Sequence, residues 1–267
     1  MINNKHKIMK SKTVVITGST RGFGRELAEE FLVRGNRVVI CSKNKENVHH
    51  TEVELKKMYD RNVHVLVADV SNYDDCVQMT DSTIKEYGGI DILINNAGTN
   101  AYKRQKFLEF QHDEIESIVN TNLLGTLNCC HAIMPYMLEN DNGVIINVEG
   151  AGSENNETEG YAAYGATKSG ITQFTTTLRK EYENTNVHVC LLSPGMMFTN
   201  LLVNETTSDM QFIFDTFGED PSYVSKILVP KILQINSNRN IRHLTWCKIM
   251  KKIVNASIRY ISKIIKK

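Results

Sequence analysis

Short runs of β-branched and apolar residues alternate along this chain with longer stretches whose apolar positions recur every three or four residues. TVVITG (13–18), RVVICS (37–42), HVLVADV (64–70), IDILINNAG (90–98), GVIINV (143–148) and VHVCLLSPG (187–195) read as six strands. None alternates strictly between apolar and polar, the pattern of strands covered on both faces. Segments such as RELAEEFLVRG and DDCVQMTDSTIKEYG lie between them and have helix length. Strand–helix–strand repetition predicts an α/β fold, a doubly wound parallel sheet with helices on both faces.

At 267 residues the chain suits one domain with a sizeable core. The pattern divides it into a flexible basic N-terminus (1–10), a main domain (11–240) with a substrate segment at about 200–225, and a basic amphipathic C-terminal helix (241–267). The polar run SENNETEG (153–160) reads as a loop.

TGSTRGFG, Thr17 to Gly24, follows the first strand and opens the first helix. Gly18 permits a tight turn, and Gly22 and Gly24 let backbone approach a pyrophosphate while the helix N-terminus offers its free N–H groups. Ser19, Thr20, Arg21 and Phe23 complete this candidate cofactor turn, which makes the expected sheet Rossmann-like. An enzyme for NAD usually ends its second strand on a carboxylate that holds the ribose hydroxyl. Here the strand ends on Ser42 and Lys43, with Arg21 in the turn. Cations suit a 2′-phosphate that a carboxylate would repel, so the expected cofactor is NADPH; solvated surface cations are the plainer alternative.

The spacing G-x-x-x-G-x-G resembles that of the short-chain dehydrogenase/reductase family. Asp69 in ADV, NNAG (95–98), Asn122 in NTNLLG, Tyr164-x-x-x-Lys168 and SPGMMFT (193–199) fall where that family has its motifs, over about residues 11–200. The resemblance implies that Asp69 and Val70 flank the adenine, that Asn96 and Ala97 line the cofactor, that Thr199 meets its carboxamide, and that Gly98, Pro194 and Gly195 also belong to the cofactor site. It also implies a homo-dimer or homo-tetramer and a small-molecule carbonyl substrate.

Carbonyl reduction needs hydride on carbon and a proton on oxygen. A free tyrosine, with a pKa of about 10, is a poor base at neutral pH. Lys168, four residues after Tyr164 and on the same helix face, favours the phenolate and eases proton transfer. Both residues also belong to the expected cofactor site. Tyr161 reads as a lip or core residue. Asn122 resembles the family residue that holds a relay water near the lysine, or else satisfies backbone as a buried polar group.

The serine that closes the corresponding strand in most of the family, and binds the substrate carbonyl, has no counterpart at Glu149, Gly150 or Ala151. Ser153 could reach back; a protonated Glu149 could donate; or Tyr164 alone could serve an electrophilic aldehyde. INVEGAGS (146–153), YGATKSG, SPGMMFTNLL, NNAGTN (95–100) and ILVPKI (227–232) resemble the chlorophyll(ide) b reductase branch of the family. That branch carries an acidic residue and GAGS at this point and reduces a ring formyl group with NADPH. The present chain has Glu149 where the branch is expected to have Asp, and no evident plastid transit peptide. A general reductase of small ketones or aldehydes and a non-catalytic NADPH-binding sensor or scaffold are the competing readings.

Charge is the last informative layer. The formal net charge is +1, yet Pro221–Lys267 holds eleven of the 31 Lys and Arg and none of the 30 Asp and Glu, leaving −10 on the remainder. Trp246, Ile249, Met250, Ile253, Tyr260, Ile261 and Ile264 recur at helical spacing among lysines, which suits either peripheral contact of 245–267 with an anionic membrane or packing against protein. No nucleic-acid motif accompanies the charge, so no nucleic-acid partner is expected. No run reaches the roughly 18 apolar residues that a spanning helix needs. The six cysteines form no C-x-x-C pair or metal spacing, so they read as buried apolar residues and no metal is expected. A cytoplasmic or stromal location, with membrane association through the tail, is the expectation.

Overall fold

A computed structural model describes residues 11–101, 104–154, 157–198, 213 and 215–265, with 257 and 259–265 as backbone. Seven parallel strands form one sheet in the order β3-β2-β1-β4-β5-β6-β7. They are β1 (Thr13–Thr17), β2 (Arg37–Ser42), β3 (Val63–Val67), β4 (Ile92–Asn95), β5 (Gly143–Val148), β6 (Val187–Ser193) and β7 (Asn240–Arg242). The helices are α1 (Gly22–Val33), α2 (Lys45–Tyr59), α3 (Tyr73–Tyr87), α4 (His112–Ile118), α5 (Gly125–Glu139), α6 (Ala162–Glu181), α7 (Pro221–Ile232) and α8 (Trp246–Ile265). A π-helical turn, Val119–Leu124, joins α4 to α5.

Strand side chains alternate between two cores, as the period of two requires. Val14, Ile16, Val38, Ile40, Ile92 and Ile94 pack under α1 (Leu27, Phe31) and α7 (Val224, Leu228). Val15, Val39, Leu93 and Ile145 turn the other way, onto Met79 of α3 and Ile133 and Met137 of α5. Burial on both faces is why the strands read as continuous apolar runs.

Helix starts follow the local chemistry. Asn44 accepts from Asn47 N at 2.7 Å, and Asn72 accepts from Asp74 N at 2.9 Å, so each caps its helix. Asp220 caps α7, whose first residue is Pro221, the position where a missing N–H costs least. The six expected strands are all present. β7 was not expected; it lies across the boundary drawn at 240/241, so part of the C-terminal region belongs to the sheet. The N-terminus 1–10, Thr199 and most of the substrate segment lie outside the described residues.

The order of the sheet reverses between β1 and β4, where successive crossovers leave in opposite directions. A crevice forms there, at the carboxyl ends of the strands.

Candidate active site

The glycine-rich turn sits in that crevice. Gly18 (φ +62°) and Gly22 (φ +58°) adopt the left-handed conformation that glycine tolerates. A Cβ on Gly18 would stand 2.9 Å from Ala97 Cα, so the turn touches the loop after β4. Asn96 fastens the two: its Nδ2 donates to Thr17 O (2.9 Å) and Gly18 O (3.2 Å). Thr17 Oγ1 accepts from the backbone of both Asn96 and Ala97, each at 3.0 Å. Thr17 is a site residue that its strand position hid.

Two members of the turn point elsewhere. Ser19 Oγ donates to Ile16 O at 2.5 Å and accepts from Cys41 N at 3.2 Å. Phe23 is buried in the core beneath α1. What they can offer a phosphate is backbone. Thr20 and Arg21 lie at the surface of the turn, ahead of α1.

At the end of β2, Ser42 Oγ accepts from Asn44 N at 3.3 Å, and Lys43 stands 3.9 Å from the Asp69 carboxylate. Asp69 also accepts from Ser71 N and Oγ, so its carboxylate organises its own turn. Val70 is buried, and a Cβ on Gly125 would strike its Cγ2. The rim therefore carries a cation and a hydroxyl, and the nearby carboxylates are engaged with backbone, Asp69 with Ser71 N and Asp75 with Asp69 N at 2.8 Å. A helix N-terminus, a glycine-rich turn and a cation at the rim together fit the phosphates of a dinucleotide.

Tyr164 and Lys168 stand together on α6, with the lysine Nζ 5.7 Å from the tyrosine ring centroid. Lys168 is 4% exposed and donates to Val148 O at 2.9 Å. Burial pushes its pKa down to about 8, against the opposing pull of Glu149. Glu149 is itself buried, and burial pushes its pKa up; Arg242, Arg179 and Lys168 favour its carboxylate, while Glu154 opposes it.

The turn after β5 is shaped to the helix. A Cβ on Gly150 would lie 2.5 Å from the Tyr164 hydroxyl oxygen. Gly152 (φ +96°) lies against Gly165, where a Cβ would come within 2.5 Å of the Gly165 Cα. Ser153 does fold inward: its Oγ accepts from Gly150 N at 3.1 Å, and its N–H donates to Gly150 O at 3.2 Å. The glycines of GAGS thus hold the loop against α6, and the serine closes it.

Asn122 sits in the π-helical turn, fully buried. Its side chain accepts from Thr99 N (2.8 Å) and donates to Thr99 O (2.9 Å) and Thr167 Oγ1 (3.2 Å). It satisfies backbone and ties the loop after β4 to α6. Gly98 passes beside it, with room for no more than a tight Cβ. Deeper, Asn95 donates to Asn147 (2.8 Å) and Asn147 to Thr175 (2.8 Å), a polar chain from β4 through β5 to α6. Asn147 and Thr167 lie within INVEGAGS and YGATKSG, yet the motifs alone do not mark them as site residues.

The segment after β6 is tied to the residues before α7. Gly195 (φ +82°) has no room for a Cβ beside Leu244. Phe198 N donates to Glu219 O and Glu219 N to Met196 O, each at 3.0 Å. The Glu219 carboxylate meets His243 Nε2 at 2.5 Å and Lys252 of α8 at 3.3 Å. A cavity of about 580 Å³ opens behind α6, lined by Gly152, Tyr161, Gly165 and Ser169. Neither Tyr164 nor Lys168 lines it, so it is not the place where the hydroxyl acts.

Among the described residues no group of acidic, His and Cys side chains could hold a metal, and no helix is long and apolar enough to cross a membrane.

The family model for short chain dehydrogenase matches residues 12–210. The chain is 36% identical to the probable chlorophyll(ide) b reductase NYC1 of Arabidopsis thaliana, over 97% of this chain and 56% of that protein. It therefore spans little more than half the length of that relative. It is 38% identical to the chlorophyll(ide) b reductase NOL of Oryza sativa, over 90% of this chain and 73% of the other. Among solved structures it resembles serine dehydrogenase from Escherichia coli (TM-score 0.72, 25% identity, covering 87% of this chain and 97% of that one). A closed form of serine dehydrogenase complexed with NADP+ matches with a TM-score of 0.75 at 26% identity, covering 87% and 94%. Family model, curated relatives and fold agree: the chain is an oxidoreductase of the short-chain dehydrogenase/reductase family.

Proposed function

We propose that this chain is an NADPH-dependent reductase that converts a formyl group to an alcohol, with a chlorophyll(ide) b-type tetrapyrrole as the substrate class. The observation that carries the reading is the fit of Gly150 to the Tyr164 hydroxyl beside buried Lys168. The proton-delivering pair is whole, and a glycine lies against the hydroxyl in the turn where relatives have serine. The likeness to the two chlorophyll(ide) b reductases supports the substrate class.

Bound NADPH supplies the hydride. Tyr164 delivers the proton to the carbonyl oxygen, and the Lys168 ammonium stabilises the phenolate left behind. Val148 O fixes that ammonium in place. Glu149 acts as the lysine's counter-charge, its pull on the ammonium opposing the burial that lowers the Lys168 pKa. Ser153 positions the turn through Gly150 N. An aldehyde is electrophilic enough for Tyr164 to be its main hydrogen-bond donor.

The test is NADPH-dependent loss of the formyl absorption of chlorophyllide b by the purified protein. Conversion by the wild type and none by Tyr164→Phe, with NADPH binding retained, is the expected result. NADPH binding without conversion of this or any simpler aldehyde would overturn the formyl reading and leave a ketone reductase or the sensor.

A further inference from the structure

In α8 the apolar stripe does not face the domain. Trp246 (75% exposed), Met250, Ile253 and Val254, spaced four, seven and eight along the helix, share one side and are all exposed, as is Ile258. The opposite side meets the body: Ala256 is buried, Ile249 and Lys248 are half-buried, and Lys252 pairs with Glu219. A packed C-terminal helix would turn its apolar side inward. This one meets the domain through a narrow mixed side, Ala256 and Ile249 beside Lys248 and Lys252, and shows a larger apolar face to the outside, a feature that marks an interaction surface.

The charge pattern selects the occupant. Of the seven Lys and Arg from Lys248 to Lys267, five remain once Lys248 and Lys252, which face the body, are set aside, and no acidic residue follows Asp220. In a two-fold dimer through this face, the same cations would confront one another. An anionic lipid surface accepts both properties at once, with apolar side chains sinking below the headgroups and lysines meeting phosphates. We propose that α8 docks the protein on an anionic membrane surface, with Trp246, Met250, Ile253 and Val254 as the inserting face. The docking stands on the helix alone and holds whatever carbonyl the site reduces. It also places residues 215–218 of the substrate segment near the lipid, because Asp215, Thr216 and Gly218 share a cavity with Lys252, Asn255 and Ile258.

The chain contains a single tryptophan, and it stands on the inserting face. Trp246 emission therefore reports docking without a label. The full chain is mixed with vesicles of phosphatidylcholine alone, or of phosphatidylcholine with phosphatidylglycerol, and followed by fluorescence and co-sedimentation. The expected result is a blue shift and binding at least about tenfold tighter to the anionic vesicles, weakening as salt is raised. The variant Met250→Ser/Ile253→Ser/Val254→Ser changes exposed side chains only and should keep the fold while losing the shift and the sedimentation. Equal binding by this variant, equal binding to both vesicles, or no binding by the wild type overturns the assignment. A wild-type dimer that the same variant converts to monomer gives the face to a second copy, and also overturns it.

Discussion

Gly150 and Tyr164 fit so closely that a Cβ at residue 150 would lie 2.5 Å from the tyrosine hydroxyl oxygen and 3.2 Å from Lys168 Cε. The position cannot take back a side chain unless Tyr164 moves. Gly150→Ser should therefore lower kcat/KM, by about tenfold or more, because a small misplacement of a proton donor is costly. Steady-state kinetics with an aldehyde substrate decides this. A faster enzyme would mean that a serine can be accommodated and that the glycine is a loss of function.

Lys168 titrates near 8, lowered by burial and pulled upward by Glu149. Below that pH its ammonium supports the Tyr164 phenolate; above it the charge and the support are lost. Reduction should therefore decline as pH rises through about 8. In Glu149→Gln the counter-charge is gone, the lysine pKa falls further, and the alkaline limb should move to lower pH. A pH–rate profile of kcat in both proteins reads the displacement; a limb that stays put would remove Glu149 from this role.

Asn122→Ala would strip hydrogen bonds from both Thr99 N and Thr99 O. Leaving half-buried backbone groups unpaired should cost about 1–3 kcal/mol of stability. The loss would appear as a lower denaturation midpoint at an unchanged m-value.

Lys43 stands at the end of β2, where a 2′-phosphate would lie. Lys43→Asp should shift the ratio of kcat/KM for NADPH over NADH toward NADH by about ten- to a hundredfold, the worth of one charge-assisted contact. An unmoved ratio would return Lys43 to the solvated surface.

Six strands and the pairing of Tyr164 with Lys168 were legible because both are local patterns: apolar runs in one case, a four-residue helical spacing in the other. β7 was not, since only Ile241 of its three residues is buried and nothing around it alternates. The π-helical turn at Asn122 leaves no compositional trace. Thr17 escaped notice because its partners lie at 96 and 97, far away in sequence. Motif membership also overstated side chains: Ser19 and Phe23 belong to the turn by position, yet one hydroxyl is spent on Ile16 and Cys41 and one ring on the core.

Glu219 ties the segment after β6 to His243 and to Lys252 in the last helix. Cutting the chain before Thr245 would therefore do more than remove a tail. It would leave the half-buried Glu219 carboxylate with His243 alone and loosen the segment after β6, so a truncated protein that failed to reduce its substrate would look like one that had merely lost its anchor. Separating attachment from turnover requires substitutions on the outward face of α8, with Lys252 left in place.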